Sequence, residues 1–218
     1  DFYKSVSPHR REERNSRRLN RKVHCQVKMV LNTLKEDIVF QAKLRGFNLT
    51  FSSTWGLFSP RSIDAGTRLL IKCLEVNAGD ACVDLGCGYG AIGLVMARLS
   101  GKGQVYMVDK DFVAIEYAAK NVKRNSLHNC EVMLSNAFSH LHQTEFDVIA
   151  SNVPANVGKE LLHIILLEAR NHLKPSGKFY VVTISGLRQF IKRNFNEVFG
   201  NYQKVKQSNT HTVSLAVR

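Results

Sequence analysis

Val83-Asp84-Leu85-Gly86-Cys87-Gly88-Tyr89-Gly90 is the most informative stretch of this 218-residue chain. A short apolar strand leads to an acidic residue and three alternating glycines, and a helical run follows over residues 91–99. Glycines at this spacing let the backbone turn tightly and approach a ligand closely, with the helix N-terminus just behind them. Asp84 adds a charge or a hydrogen-bond acceptor where a cationic or amino group would sit. A loop that binds only a pyrophosphate does not need that acid.

The glycines also satisfy a second pattern, the G-x-G-x-x-G of nicotinamide and flavin enzymes, over residues 88–93. Asp109 then lies at a suitable distance downstream to bind a ribose. Because a single match of this kind is weak, the glycines alone leave a dinucleotide site open. The residues around Asn152 are needed to decide between the two cofactors.

The composition limits the kinds of protein that the chain can be. Hydrophobic residues make up 44% of the chain, which is enough for one sizeable core. No apolar run approaches the roughly 20 residues that span a bilayer, and the charged N-terminus lacks an apolar signal core. The five cysteines are odd in number and include no C-x-x-C pair. We therefore expect no secretion, no membrane partner, no disulfide framework, no metal site and a cytoplasmic location.

The charge is concentrated at the two ends of the chain. Residues 1–50 carry twelve basic and five acidic side chains (net +7), and residues 188–218 carry six and one (net +5). Residues 51–187 carry thirteen and twelve, and are almost neutral. A basic end can be simple solvated surface, but two of them around a neutral core favour arms that bind nucleic acid. The predicted RNA-binding residues are Arg10, Arg11, Arg14, Arg17, Arg18, Arg21, Lys22, Arg188, Lys192 and Arg193, with Lys204 and Lys206 as further phosphate contacts.

Hydrophobic periodicity predicts a basic N-terminal appendage followed by an α/β domain. The appendage, residues 1–52, contains an amphipathic helix over 8–36 and a small hairpin. In residues 53–218 helices alternate with apolar strands, which predicts a Rossmann-like, doubly wound, mostly parallel seven-stranded sheet with an antiparallel last strand. The expected hairpin strands are 38–42 and 47–52, the helices 64–76, 91–99, 112–124, 157–173 and 187–199, and the sheet strands 82–85, 104–109, 130–134, 146–151, 179–184, 202–206 and 212–217.

Polar residues at the ends of the second and third sheet strands are candidates for binding a nucleoside. Asp109 is suited to accept hydrogen bonds from ribose hydroxyls, unless it is simply a surface acid beside Lys110 and Asp111. Asn136 and Ala137 are placed to contact an adenine ring, or they only form a turn.

The segment Ser151-Asn152-Val153-Pro154-Ala155 discriminates best between the two cofactors. A nicotinamide enzyme has no special need for an amide where an apolar strand breaks at a proline. An enzyme that methylates an exocyclic amine does need such an amide, because the amine lone pair is delocalised into the base and must be aimed at the methyl group. The Asn152 carboxamide oxygen and a backbone carbonyl such as that of Val153 would fix that geometry and stabilise the developing positive charge. The alternative is an Asn that only starts a turn before Pro154.

Five blocks of the sequence together resemble the small-domain methyltransferases that modify guanine N2 in ribosomal RNA. They occur in the family's order and are Phe58-Ser59, Asp64-x-Gly66-Thr67, the glycine stretch from Asp84 to Gly90, Ser151-Asn152-x-Pro154 and Gly158-Lys159-Glu160. The resemblance, which runs from about residue 46 to the C-terminus, implies a class I fold that binds S-adenosylmethionine (SAM). It implies catalytic roles for Asn152, Val153 and Pro154. It implies cofactor contacts from Asp84, Leu85, Gly86, Cys87, Gly88, Gly90, Asp109, Lys110, Asn136, Ala137, Asn152, Phe58 and Ser59.

Two positions depart from the family pattern. The usual Asn-Pro-Pro-aromatic is here Asn-Val-Pro-Ala, so Ala155 replaces the side chain expected to stack on the target base, and Asn136 replaces an acid at the adenine turn. Trp55 or Phe58 could supply the stacking surface, or each could pack in the core. We expect a SAM-dependent methyltransferase for an exocyclic amine of RNA, with guanine N2 of ribosomal RNA as target and ribosomal RNA or a ribosomal subunit as partner. A methyltransferase for a small molecule or a protein amide, and a SAM-binding RNA-associated protein without activity, are the alternatives.

Overall fold

The computed structural model describes residues 36–141, 145–154 and 157–218. The predicted helix 8–36 lies outside these residues except for Glu36, and so do the seven predicted RNA-binding residues from Arg10 to Lys22. No helix in the described residues is long and apolar enough to cross a bilayer. The strands are β1 (Ile38–Leu44), β2 (Phe47–Ser53), β3 (Cys82–Leu85), β4 (Val105–Asp109), β5 (Cys130–Leu134), β6 (Phe146–Asn152), β7 (Leu173–Ile184), β8 (Gln203–Gln207) and β9 (His211–Val217). The helices are α1 (Ala65–Cys73), α2 (Ala91–Ser100), α3 (Phe112–Arg124), α4 (Lys159–His172) and α5 (Arg188–Phe199), with a 3₁₀ turn at Ser185–Leu187.

Strands β3 to β9 form one seven-stranded sheet in the order β5-β4-β3-β6-β7-β9-β8. All neighbours are parallel except β9, which is antiparallel to both β7 and β8. The predicted fold class is therefore confirmed. From β3 the chain proceeds outward to β4 and β5, whereas β6 and β7 extend the sheet in the other direction. This reversal opens a crevice at the carboxyl ends of β3 and β6, where ligands bind in such sheets.

The two faces of the sheet are covered by two apolar cores. Successive strand residues alternate between them, so that Val181 packs in one core and Val182 in the other. The helix α2 is buried on nearly all sides in the first core, where Leu94 is fully buried. Helix α5 covers the opposite face, and Phe195 packs there against Phe179 of β7 at a ring-centroid distance of 5.9 Å. Packing on both faces fixes the strand ends that carry the candidate site.

The β1–β2 hairpin packs against the first core. Leu49 and Phe51 are buried there. The fully buried Asn121 of α3 accepts from the backbone N–H of Ser52 at 2.6 Å and donates to the carbonyls of Ser52 and Tyr89, each at 2.9 Å. One amide thus joins the hairpin, α3 and the glycine stretch. The domain boundary between residues 52 and 53 stays a prediction.

Two elements differ from their predicted bounds by three residues or more, and the others by at most two. Helix α1 ends at Cys73 rather than at residue 76, because Arg45 of the hairpin turn donates to the carbonyl of Leu74 at 2.7 Å and that residue is already extended. Strand β7 begins at Leu173 rather than at residue 179, because Leu173 pairs with Phe146 across a register shift that local sequence does not reveal.

Candidate active site

The glycine loop (residues 86–90) joins β3 to α2, and each of its three glycines has a positive φ angle. Gly86, Gly88 and Gly90 have φ angles of +71°, +54° and +90°, which L side chains rarely adopt. No described atom lies within 4 Å of a Cβ built on Gly86 or Gly88, so this backbone faces open space. The amide of Gly88 donates to Oδ2 of Asp109 at 2.9 Å, which ties the loop to the end of β4. A ligand can therefore approach the loop backbone directly.

Asp84 lies fully buried beneath that loop, where the sequence alone suggested an acid facing the ligand. Its Oδ2 accepts from the backbone N–H of Gly93 at 2.7 Å, and its Oδ1 has no partner among the described residues. Burial raises the pKa of the carboxyl to about 7; the bond from Gly93 opposes the rise and the charge of Asp109 adds to it. A cationic donor that reached the unpaired oxygen would stabilise the ionised carboxyl. The cofactor contact of Asp84 stays a prediction.

Leu85 and Cys87 help to join the ends of three strands. The amides of Gly86 and Cys87 both donate to the carbonyl of Val108 in β4, at 2.8 and 3.0 Å. The hydroxyl of Ser151 in β6 donates to the carbonyl of Leu85 in β3 at 2.8 Å. Burial raises the pKa of the Cys87 thiol well above its usual value, so at neutral pH it is not a thiolate nucleophile.

The other predicted nucleoside-binding residues lie at the ends of β4 and β5. Asp109 is partly buried, and its carbonyl accepts from the amide of Ser135 at 2.9 Å, which brings the two strand ends together. Lys110 and Asn136 are exposed, and Ala137 has a positive φ of +50°. The structure thus gathers these residues along one edge of the crevice, and their cofactor contacts stay predictions.

Asn152 ends β6 beside the glycine loop and is partly buried. Its Nδ2 donates to Oγ1 of Thr67 at 2.9 Å and lies 3.4 and 3.5 Å from the two carboxylate oxygens of Asp64. Among the described residues no donor is bonded to Oδ1 of Asn152. The sequence pattern of Asp64 and Thr67 does not reveal these contacts, because they join residues that are 88 and 85 positions apart.

The two residues after Asn152 have different surroundings. Val153 is buried and its amide donates to the carbonyl of Val182 in β7 at 3.1 Å, whereas Pro154 is exposed. Ala155 lies outside the described residues. The catalytic roles of Asn152, Val153 and Pro154 stay predictions.

The loop between β2 and α1 presents two aromatic side chains. Trp55 is 44% exposed, with the guanidinium of Arg61 4.2 Å from its ring centroid, and Phe58 is 74% exposed. Neither side chain packs in the core, so that alternative is wrong for both. The hydroxyl of Tyr89 donates to the carbonyl of Ser59 at 3.3 Å, which holds this loop against the glycine loop.

Basic residues of the predicted RNA-binding set lie on α5, which follows the carboxyl end of β7. Arg188 begins the helix and its guanidinium donates to Oε1 of Gln207 at 3.1 Å, while Lys192 and Arg193 are exposed. Arg188 is therefore on the same edge of the sheet as Asn152. The edge strand β8 carries two more exposed cations, Lys204 and Lys206.

The family model of the methyltransferase small domain matches residues 48–214. The match covers all of β2 but its first residue, the glycine loop, Asn152 and the seven-stranded sheet as far as Ser214 in β9. The chain belongs to the methyltransferase small domain family.

Several known proteins resemble the chain to different extents. The uncharacterised protein YbxB of Bacillus subtilis (strain 168) is 35% identical over 144 residues, which are 64% of this chain and 71% of that protein. RsmC, the T. thermophilus 16S rRNA N2 G1207 methyltransferase solved with AdoMet (SAM) and guanosine, superposes with a TM-score of 0.75 and 28% identity over 83% of this chain. The chain spans 50% of the RsmC structure. M. jannaschii TYW2, solved with AdoMet, shares the fold, with a TM-score of 0.60 at 18% identity over 84% of this chain and 86% of that one.

The family uses SAM, so the predicted cofactor is confirmed and the nicotinamide alternative is set aside. Two features of the site fit that cofactor. The backbone of Gly86 and Gly88 is open to a closely approaching ligand, and Asp84 has a buried oxygen without a donor among the described residues. The cofactor of this family carries the ammonium group that such an oxygen would accept from.

Proposed function

We propose that the chain transfers the methyl group of SAM to an exocyclic amine of RNA, with guanine N2 of ribosomal RNA as the target. The observation that carries the proposal is the orientation of Asn152 at the crevice between β3 and β6. Its NH₂ group is engaged by Thr67 and Asp64, which leaves the carboxamide oxygen available. An available oxygen acceptor suits a substrate that presents N–H groups.

The chemistry asked of these residues is orientation rather than proton abstraction. When bound, SAM supplies an electrophilic methyl group on a positively charged sulfur. Oδ1 of Asn152 accepts from one N–H of the substrate amine, and a backbone carbonyl such as that of Val153 accepts from the other. These bonds aim the nitrogen lone pair along the transfer direction and strengthen as positive charge develops on the nitrogen. The product ammonium then loses its proton readily, so no strong general base is required.

Charge supports RNA as the substrate class. The exposed cations of α5 and β8 extend from the edge of the sheet that carries Asn152, and a protein that neutralises phosphates gains affinity by releasing counterions. RsmC, which acts on 16S ribosomal RNA, is similar to this chain over most of the length of the chain. We further propose that Trp55 or Phe58 stacks on the target base, because both rings are exposed.

The test is transfer of tritium from labelled SAM to naked ribosomal RNA, small and large subunits, and transfer RNA, all from a strain that lacks the enzyme. We expect label in one ribosomal fraction. Asn152→Ala should abolish transfer and leave SAM affinity nearly unchanged, while Asn196→Ala, at an exposed position of α5, should change neither. Intact SAM binding without label in any RNA fraction would refute the RNA proposal. Equal loss of SAM binding and transfer in Asn152→Ala would mean that Asn152 is a cofactor ligand only.

A further inference from the structure

No residue of the block Asp64-x-Gly66-Thr67 touches the reacting atoms in the transfer as proposed, yet two of its side chains contact the NH₂ group of Asn152. The shorter contact is the 2.9 Å hydrogen bond to Oγ1 of Thr67, and the carboxylate of Asp64 faces the same nitrogen. We propose that Asp64 and Thr67 are positioning residues that hold the Asn152 carboxamide with its oxygen toward the substrate amine. The inference rests on the proposed function and deepens it, because it assigns a role to two residues that do not touch the substrate.

The two acceptors act differently on the amide. A threonine hydroxyl can accept or donate, so Thr67 alone would bind the carboxamide in either orientation. An ionised carboxylate only accepts, so turning the amide over would set its oxygen against the oxygens of Asp64. At 3.4 and 3.5 Å these contacts are long for hydrogen bonds, and their effect is mainly electrostatic. Asp64 therefore selects the orientation of the amide, and Thr67 fixes its position.

The two positioning residues are themselves held rigidly. Oδ1 of Asp64 accepts from the backbone amides of Gly66 and Thr67 at 2.9 and 3.1 Å, and so caps the N-terminus of α1. A Cβ at Gly66 would lie 2.8 Å from Cδ2 of His211, so the glycine lets α1 approach the start of β9 closely. Thr67 is 6% exposed. Each of the three residues thus has a physical role: Asp64 is an acceptor and a cap, Gly66 permits the close approach, and Thr67 is an acceptor.

The orientation of this amide decides which atoms of a base the site accepts. With its oxygen presented, Asn152 binds an N–H donor such as an exocyclic amine. With its NH₂ presented, Asn152 would repel an amine and bind a carbonyl or a ring nitrogen instead. The charge of Asp64 therefore contributes to the preference for an amine substrate, although Asp64 itself need not touch the substrate.

The experiment compares Thr67→Val, Thr67→Ser and Asp64→Asn in the full chain. Thr67→Val keeps the shape of the side chain and removes its hydroxyl, and Thr67→Ser restores the hydroxyl. Asp64→Asn keeps a good helix cap and removes the charge. We expect Thr67→Val and Asp64→Asn to lower kcat by about tenfold or more, as when one hydrogen bond that orients a reacting group is lost. SAM affinity and the RNA KM should be nearly unchanged, and Thr67→Ser should recover most of kcat.

A second readout needs no RNA. The side-chain amide signals of Asn152 in a ¹⁵N–¹H spectrum, assigned by their loss in Asn152→Ala, should shift in Thr67→Val and Asp64→Asn and stay in place in Thr67→Ser. If wild-type protein methylates no RNA and these shifts occur, the proposed function is overturned and the contact is supported. If Thr67→Val lowers only the melting temperature, with kcat per folded enzyme and the amide signals unchanged, the positioning role is overturned.

Discussion

Replacing Asp84 with asparagine should make the cofactor-free protein more stable at alkaline pH while weakening its binding of SAM. The cause is the burial of a carboxyl whose second oxygen has no partner among the described residues. Burial raises its pKa from 3.8 to about 7, so above neutral pH the folded protein holds a buried charge that water would solvate better. Asparagine keeps an oxygen for the amide of Gly93 and carries no charge.

The sign and size of the effect follow from the pKa. Below about pH 4 the Asp84 carboxyl is protonated in both the folded and the unfolded protein. Between about pH 4 and 7 the carboxyl is ionised in the unfolded chain but still protonated in the folded protein, so rising pH favours unfolding. Above pH 7 both states are ionised and the full penalty, about 4 kcal/mol for a rise of about three units, destabilises the folded wild type. In the variant, the side-chain NH₂ group introduced at position 84 would lack an acceptor, at a cost of about 1–3 kcal/mol. At pH 8 we therefore expect the free energy of unfolding of Asp84→Asn to exceed that of the wild type by about 1–3 kcal/mol. By pH 4 this difference should be lost.

The assay is urea unfolding followed by far-UV circular dichroism at several pH values, for wild type, Asp84→Asn and the matched control Asp111→Asn. Asp111 is exposed and caps α3, and asparagine caps a helix equally well. Calorimetry should show SAM affinity rising with pH up to about 7 in wild type, because a bound ammonium favours the ionised carboxyl. This rise should be absent in Asp84→Asn. Parallel stability curves for wild type and Asp84→Asn between pH 4 and 8 would refute the reasoning.

Two further predictions concern the core and the RNA surface. Asn121→Leu removes three buried hydrogen bonds to Ser52 and Tyr89 and should lower the free energy of unfolding by about 3 kcal/mol or more, against less than about 0.5 kcal/mol for Asn196→Ala. Equal unfolding midpoints in urea for the two variants would contradict this. Replacing the three basic residues of α5 with alanine should weaken RNA binding and reduce the slope of log K against log salt by about 2. The control is Lys102→Ala, in the loop before β4 on the opposite edge of the sheet. It should leave the RNA affinity and the salt slope nearly unchanged in a filter-binding salt series.

The fold could be predicted because its signals are local. An apolar run, an acid and three glycines specify β3, the glycine loop and α2 within a single stretch, and the chain order of helices and strands specifies the parallel sheet. Asn152 could be placed at the crevice for the same reason, since it ends the strand next to β3. The burial of Asp84 could not be predicted, because it depends on how closely the glycine loop and α2 pack over β3. The residue pattern is the same whether the carboxyl is exposed to a ligand or buried.

The block Asp64-x-Gly66-Thr67 shows where local reasoning ends. As a sequence, an aspartate just before a helical apolar run indicates a helix N-terminus, and that role alone accounts for the bonds of Asp64 within α1. Its contact with Asn152 arises only when α1 packs beside the carboxyl end of β6, and the close approach depends on Gly66 facing His211 of β9. The carboxylate of Asp64 therefore both caps α1 and faces the amide of Asn152, whose oxygen we propose as the acceptor for the substrate. A variant that keeps the cap and removes the charge, Asp64→Asn, separates the two roles, because stability follows the cap and the orientation of Asn152 follows the charge.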